Sequence, residues 1–268
     1  MDSLLNNVEN LLRHVAGQEI LSRFGKLGPD DVHTKNGPFD VVTTADLESE
    51  NRIREGLLKL IPESMVVGEE EAFKNPESLA RLNGSAPVWL IDPLDGTGNF
   101  VKGKPCFAVI CALVENGITQ MGWIFDPITD VCIFVKRGCG VYLGDQQLFL
   151  KVTDLELSSM MGSLGEGLQK RLQNKPDRLN LGHLVRYHCV GREYMDLALG
   201  KLNFALYGGK MMPWDHAAGV LMVEEAGGYV RTIGNTEFYS PLRHGSGDHL
   251  LVTPDKKTFN SLNKLLFS

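Results

Sequence analysis

Residues Val88–Phe100 read VWLIDPLDGTGNF, a segment that leaves little freedom in the fold around it. Val88–Ile91 is an apolar run that predicts a buried strand ending at Asp92. Pro93 has no N–H to give to a ladder, so the chain is expected to turn out of the sheet there. Two carboxylates, Asp92 and Asp95, emerge at that turn, and Gly96-Thr97-Gly98 follows at once. Paired carboxylates at a strand end suit one or two hard divalent cations. A Gly-Thr-Gly segment that opens a short helix bares backbone N–H groups for an anion. Together they point to metal-assisted phosphoryl chemistry. Taken alone, the segment fits an acidic surface turn equally well.

A chain of 268 residues accommodates one large domain or two intimately packed halves, about 1–150 and 151–268. With 43% hydrophobic and 22% charged residues it can bury a full core. The net charge of −6 is spread without a basic stripe, which argues against nucleic acid as the main partner. Met1–Asn7 lacks a basic n-region and an apolar h-region, so the expected compartment is the cytoplasm. No apolar run approaches the roughly 20 residues of a membrane span. Cys106, Cys111, Cys132, Cys139 and Cys189 form no CxxC pair and are expected to be reduced core thiols.

Apolar residues recur at helical spacing from Leu4 to Phe24, with Gly25 as a stop. Asp40–Thr43 is strand-like and leads into an amphipathic helix over Ala45–Leu60, ended by Pro62. Ser64–Gly68 is a short strand that delivers Glu69-Glu70-Glu71, and Pro76–Leu82 predicts a short helix. Phe107–Val114, Gln120–Phe125, Asp130–Val135 and Val141–Leu143, separated by turn residues, predict an antiparallel meander. Met160–Asn180, with Gly162, Gly165 and Gly167, predicts a loop before a helix. Helices follow over Glu193–Leu199, His216–Glu225 and Pro254–Phe267, with strands at Leu202–Tyr207 and Leu250–Thr253. Mixed α and β elements in this order predict sheets layered against helices.

Four places put carboxylates at a strand end or helix start: Asp46, Glu69–Glu71, Asp92 with Asp95, and Asp215. Asp215 stands where an N-cap is expected, and Glu-Glu-Glu runs are often solvated faces. The combination is what points to a site, because each group can be pinned near a sheet edge. Ala217-Ala218-Gly219 permits close backbone approach around Asp215.

Asp92-Pro93-Leu94-Asp95-Gly96-Thr97 and Trp214-Asp215-His216-Ala217-Ala218-Gly219 resemble the two signature motifs of the inositol monophosphatase family. That family belongs to a wider group of Mg²⁺-dependent, lithium-sensitive phosphatases that includes fructose-1,6-bisphosphatase. Asp40–Asp46 with Lys35 upstream, Val67–Glu70, Asp126-Pro127, Gly138–Val141 and Glu225–Gly228 extend the resemblance across roughly residues 5 to 260. It implies a layered α-β-α-β-α sandwich, a homodimer, and Mg²⁺-dependent hydrolysis of a small phosphate ester with two or three ions per site. By the same resemblance, Glu69, Asp92 and the Leu94 carbonyl bind the first ion. Asp92, Asp95 and Asp215 bind the second. Gly96 and Thr97 offer N–H groups to phosphate, Thr97 and Asp46 activate the water, and Glu70 supports them. An all-oxygen ligand set suits Mg²⁺ better than Zn²⁺.

Two stretches depart from the family pattern. Inositol phosphatases usually carry a Ser/Thr-Ala-Ala element where this chain has Cys189–Tyr194, and a glutamate where it has Tyr207-Gly208-Gly209-Lys210. Gly98 replaces a larger residue. Inositol specificity therefore lacks its polar partners. Arg192, Glu193, Tyr194, Tyr207 and Lys210 are candidates to shape a different pocket, against readings as helix-surface charges or core tyrosines. Fructose 1,6-bisphosphate, a nucleotide 3′-phosphate, histidinol phosphate and the 2′-phosphate of NADP are alternative substrates. A regulatory or assembly protein on the same fold is the rival reading. His188 and His216 read as packing histidines.

Overall fold

The structure is a computed structural model that describes residues 3–37, 40–151, 154–165, 169, 181–233, 237–243 and 247–267. Helix α1 (Ser3–Val15) buries Leu5, Val8, Leu12 and Val15, the spacing of one helical face. It continues as a π-helical turn over Ala16–Leu21, and Gly25 takes φ +72° beyond it. Strands β1 (Val32–Gly37) and β2 (Asp40–Thr43) pair antiparallel. Helix α2 (Thr44–Leu60) starts from a capping box in which the Thr43 hydroxyl and Asp46 carboxylate serve each other's end of the turn.

A seven-stranded sheet follows in chain order: β3 (Met65–Gly68), β4 (Val88–Asp95), β5 (Ala108–Glu115), β6 (Ile118–Asp126), β7 (Val131–Lys136), β8 (Gly140–Leu143) and β9 (Gln146–Leu148). β3 and β4 run parallel, with helix α3 (Glu69–Lys74) and a 3₁₀ turn (Pro76–Asn83) as the crossover. The rest is an antiparallel meander in which β5 to β8 match the expected strands and β9 is an addition. Between β4 and β5 lies helix α4 (Thr97–Val101).

The second sheet has five strands in the order β11 (Leu184–Val185), β10 (Gly162–Leu164), β12 (Phe204–Gly208), β14 (His249–Thr253) and β13 (Tyr229–Thr232). The sequence reading placed a loop at Gly162, yet it opens β10. A Cβ there would sit 2.1 Å from the tip of the Phe204 ring, so the glycine leaves room for that ring against the strand. The helix expected to follow falls mainly on residues 166–168 and 170–180, outside the described residues. β13 was not anticipated.

Helices α5 (Val190–Ala198) and α6 (Pro213–Glu225) pack between the two sheets, while α7 (Lys256–Phe267) lies against β14. Three apolar clusters bind these layers. Leu12, Ile53, Trp89 and Trp123 join α1 and α2 to the large sheet. Leu90, Ile110, Ala218, Leu221 and Val252 fill the middle, and Phe204, Leu251, Phe259 and Leu262 join the small sheet to α7. The result is the α-β-α-β-α layering that the resemblance implied. α6 is buried on nearly every face, and small residues make that possible. A Cβ on Gly219 would meet the Tyr194 ring at 2.1 Å, and one on Gly122 would meet Ala218 at 2.8 Å.

The largest correction concerns Pro93. The strand does not end at Asp92; it runs to Asp95 through a bulge. Asp92 pairs with Ile110 and Asp95 with Ala108, so three steps on β4 match two on β5. Cross-strand partners share a face, and Ile110 and Ala108 both face the middle layer. The extra residue thus turns two carboxylates, which a regular strand would send to opposite sides, toward α6 together. Leu94 points the other way into the α1–α2 core.

Candidate active site

One carboxylate oxygen each from Glu69, Asp92 and Asp215 lies within 4.8 Å of the others. They come from the first turn of α3, from β4 and from the first turn of α6. Asp215 is not the N-cap. Met212 caps α6, Pro213 takes the first helical position, and the Asp215 N–H reaches the Met212 carbonyl at 3.3 Å. Glu69 is aimed by Glu50, whose carboxylate accepts from the Glu70 and Glu71 N–H groups at 2.8 and 2.9 Å. Glu50 therefore serves as the cap of α3 from another helix, and Gly68 leaves it room: a Cβ there would lie 2.2 Å from its carboxyl carbon.

Beside this cluster, Thr97 Oγ1 donates within reach of Asp46 Oδ1 at 2.9 Å and of the Leu94 carbonyl at 3.0 Å. Asp46 Oδ2 accepts from the Thr43 N–H at 2.8 Å and from the Thr43 hydroxyl at 2.5 Å. The carboxylate that caps α2 is thus also the one that holds Thr97. Gly96, at φ +91°, makes the turn into α4. The first N–H groups of that turn have no partner within the helix.

Asp95 is engaged differently. Its Oδ2 accepts from the Gly191 N–H at 2.5 Å and from the Cys189 thiol at 3.1 Å. Asp95 therefore caps α5 from across the cleft, since Cys189 makes no side-chain cap of its own. Lys35, from β1, places Nζ 2.7 Å from Glu69 and 2.6 Å from Glu70.

Burial, reinforced by like charges nearby, raises the proton affinity of Asp92, Asp215, Asp46 and Glu70. Burial, then the charges of Glu69, Asp95 and Asp215, push Asp92 well above the usual carboxylate range. Asp215 is raised by burial and by Glu69 and Asp95, against the opposing charge of Lys35. Burial lifts Asp46 to about 6 despite its hydrogen bonds from Thr43 and Thr97. Burial and Glu69 lift Glu70 to about 7. For Lys35 burial favours the neutral form, but Glu69 and Glu70 outweigh it and hold the ammonium charged.

A cleft of about 220 Å³ is lined by Glu69, Asp92, Leu94, Asp95, Gly96, Thr97 and Asp215, closed on its flanks by Val41, Gly98 and Val190. The residues expected to read substrate lie elsewhere. Arg192 turns to Asp126, which also holds the Ile128 and Thr129 N–H groups. Glu193 is buried and accepts from Ser163 Oγ at 2.7 Å. Tyr194 is fully buried, with its hydroxyl 3.0 Å from His216 Nδ1. Tyr207 stacks on Tyr194 at 5.2 Å between ring centres, and Lys210 is exposed. Sequence reading missed Val41, Val190, Glu50 and the Cys189 thiol. The short motif around Asp92 does not encode them, because each acts across the fold.

The model of the inositol monophosphatase family matches residues 1–263. A fructose-1,6-bisphosphatase/inositol-1-monophosphatase of Aquifex aeolicus is 32% identical over 230 residues, covering 81% of each chain. The solved IMPase of Thermotoga maritima matches with a TM-score of 0.83 at 24% identity, covering 99% of this chain and 97% of its own. An IMPase/NADP phosphatase complexed with Mg²⁺ and phosphate matches with a TM-score of 0.80 at 20% identity, covering 100% of this chain and 95% of its own. These matches define the class, a phosphatase that hydrolyses phosphomonoesters. The chain belongs to the inositol monophosphatase family, whose members depend on metal. Among the described residues, no helix is long and apolar enough to cross a membrane.

Proposed function

We propose that the protein is a Mg²⁺-dependent phosphomonoesterase of a small phosphorylated metabolite, with water as the nucleophile. The observation that carries this reading is the convergence of Glu69, Asp92 and Asp215 oxygens beside the Thr97–Asp46 pair in one cleft. The donor set fits the ion. Every inward group is an oxygen, and burial together with neighbouring carboxylates raises the proton affinity of Asp92 and Asp215, which a cation would relieve. Glu69, Asp92 and the Leu94 carbonyl are assigned to one ion, and Asp92, Asp95 and Asp215 to a second. Bound divalent cations acidify water and neutralise charge on the attacking and leaving oxygens.

The chain's own residues do the rest. Thr97 Oγ1 orients the water and passes its proton toward Asp46, whose raised affinity makes it an effective acceptor near neutral pH. The first-turn N–H groups of α4 hold the phosphate oxygens. Glu70 and Lys35 fix Glu69 from behind.

The cleft's small, apolar flanks at Val41, Gly98 and Val190 support a sugar or polyol phosphate held chiefly by its phosphate. Fructose 1,6-bisphosphate and the 2′-phosphate of NADP stay in the substrate class, given the names of the similar proteins. Lithium inhibition and a homodimer belong to the same reading and are supported by the family resemblance. The test is phosphate release from a phosphomonoester panel by purified protein, with Mg²⁺, with EDTA and with added Li⁺. Turnover that needs Mg²⁺ is expected; full activity in EDTA, or none on any ester, refutes the reading.

A further inference from the structure

We propose that Cys106 and Cys189 form a dithiol that a hydroperoxide closes into a disulfide beside Asp95, switching the phosphatase off reversibly. Three chain segments meet at this point. Cys189 is buried at the start of α5, with its thiol on Asp95 Oδ2 at 3.1 Å and near the Asp95 carbonyl at 3.6 Å. Cys106 is half-buried before β5, with its thiol 3.8 Å from the carbonyl of Tyr187, two residues ahead of Cys189. Asn99 ties the two backbones together, its Nδ2 donating to the carbonyls of Cys106 and Tyr187, each at 2.8 Å. Gly96 marks how tightly they converge. A Cβ there would lie 3.0 Å from the Cys106 carbonyl and 3.2 Å from Cys189 Cβ.

The other thiols are placed differently. Cys111 and Cys132 are buried in the α1–α2 core, out of reach of a polar oxidant, and Cys139 is exposed on the β7–β8 turn. Cys106 is the member of the pair that solvent reaches. The neighbouring Cys189 thiol, helped by the Arg192 charge, outweighs the opposing effect of burial and favours its thiolate.

The chemistry balances with hydrogen peroxide as oxidant. The Cys106 sulfur attacks one peroxide oxygen, the O–O bond breaks, and a sulfenic acid and one water result. Cys189 then attacks that sulfur, the S–O bond breaks, and a second water leaves with the thiol proton. Two electrons pass from the sulfurs to the peroxide. To form the bond, Cys189 must leave Asp95, so Oδ2 loses one donor and the first turn of α5 is drawn toward Cys106. The effect on turnover rests on the metal role proposed for Asp95; disulfide formation does not.

The experiment uses full-length reduced protein carrying Cys139→Ser to remove the exposed thiol. After brief treatment with hydrogen peroxide and alkylation, non-reducing peptide mass spectrometry should find Cys106 linked to Cys189. Mg²⁺-dependent release from p-nitrophenyl phosphate should fall roughly tenfold or more, as for loss of a partner that orients a metal ligand, and return with dithiothreitol. Calorimetric Mg²⁺ affinity should weaken in parallel. Adding Cys106→Ser should leave basal turnover unchanged and abolish the response. No linked peptide, a linked peptide with unchanged turnover, or equal peroxide loss in the Cys106→Ser protein overturns the proposal. If the reduced protein releases no phosphate at all, the functional reading fails, and the linked peptide with the Mg²⁺ affinity decides this proposal on its own.

Discussion

The two walls of the cleft are built on opposite plans. On the wall formed by residues 43–97, acidic side chains point inward. Backbone N–H groups, hydroxyls and Lys35 hold them there. On the wall formed by residues 187–208, the ionic and aromatic side chains point away. Arg192 is spent on Asp126, Glu193 on Ser163, and Tyr194 on His216. That wall meets the cleft with Val190 and backbone N–H groups. The contrast separates two jobs. Cutting a phosphate needs charge fixed in place, whereas this wall supplies shape and few polar contacts. A site with few polar partners discriminates weakly among substrates, so a broad substrate range is the expectation that the proposed function carries.

Asp92→Asn offers the sharpest break on the acidic wall. Turnover should fall by about 10²–10³-fold or more, since one electrostatic stabiliser of the transition state is lost. The metal-free protein should melt higher, because Asp92 sits amid Glu69, Asp95 and Asp215. Near-normal turnover would refute its assigned role. Thr97→Val should cost about 10²-fold in kcat with KM little changed, measured at saturating Mg²⁺.

Arg192→Met probes the opposite wall. It leaves the buried Asp126 carboxylate without its cation and should cost about 2–3 kcal/mol in denaturant unfolding, with kcat of the same order. A collapse in kcat at unchanged stability would erase the distinction between the walls. The smallest effect concerns His216, which burial pushes down to about 3. Between that value and its ordinary 6.5, the unfolded chain binds a proton that the folded one refuses, so stability falls as pH falls. Wild type should lose about 1.4 kcal/mol relative to His216→Gln by pH 5.5 in equilibrium unfolding. Parallel stability curves would show that His216 is not held neutral.

The acidic wall was legible because its motifs are local: a strand, a turn and a capping box each carry their own residues. The meander was legible from alternation and turn residues. Asp215 was misplaced as a cap although Pro213 marks the first helical position. The bulge at Pro93 escaped because a proline in an apolar run reads as a stop. β10 escaped because Gly162 has no side chain to announce a strand, and its reason is a ring 42 residues away. Cys189 read as a small hydrophobe, which its burial supports, while its bond to Asp95 spans 94 residues. The Arg192–Asp126 pair spans 66. Such links are set by topology, and no local pattern encodes them.

The burial of α6 on nearly all faces bears on what holds the acidic cluster together. Asp46, Glu69, Asp92 and Asp95 all precede the small sheet along the chain, and in the folded protein Asp92 lies among like charges. Asp215 adds another negative charge, brought in by a helix from far along the chain, so its contact with the other acids is non-local. What drives that docking is its apolar surface, Ala217, Val220, Leu221 and Met222 against both sheets. Apolar packing of α6, rather than attraction between the site's own charges, therefore holds the candidate site together.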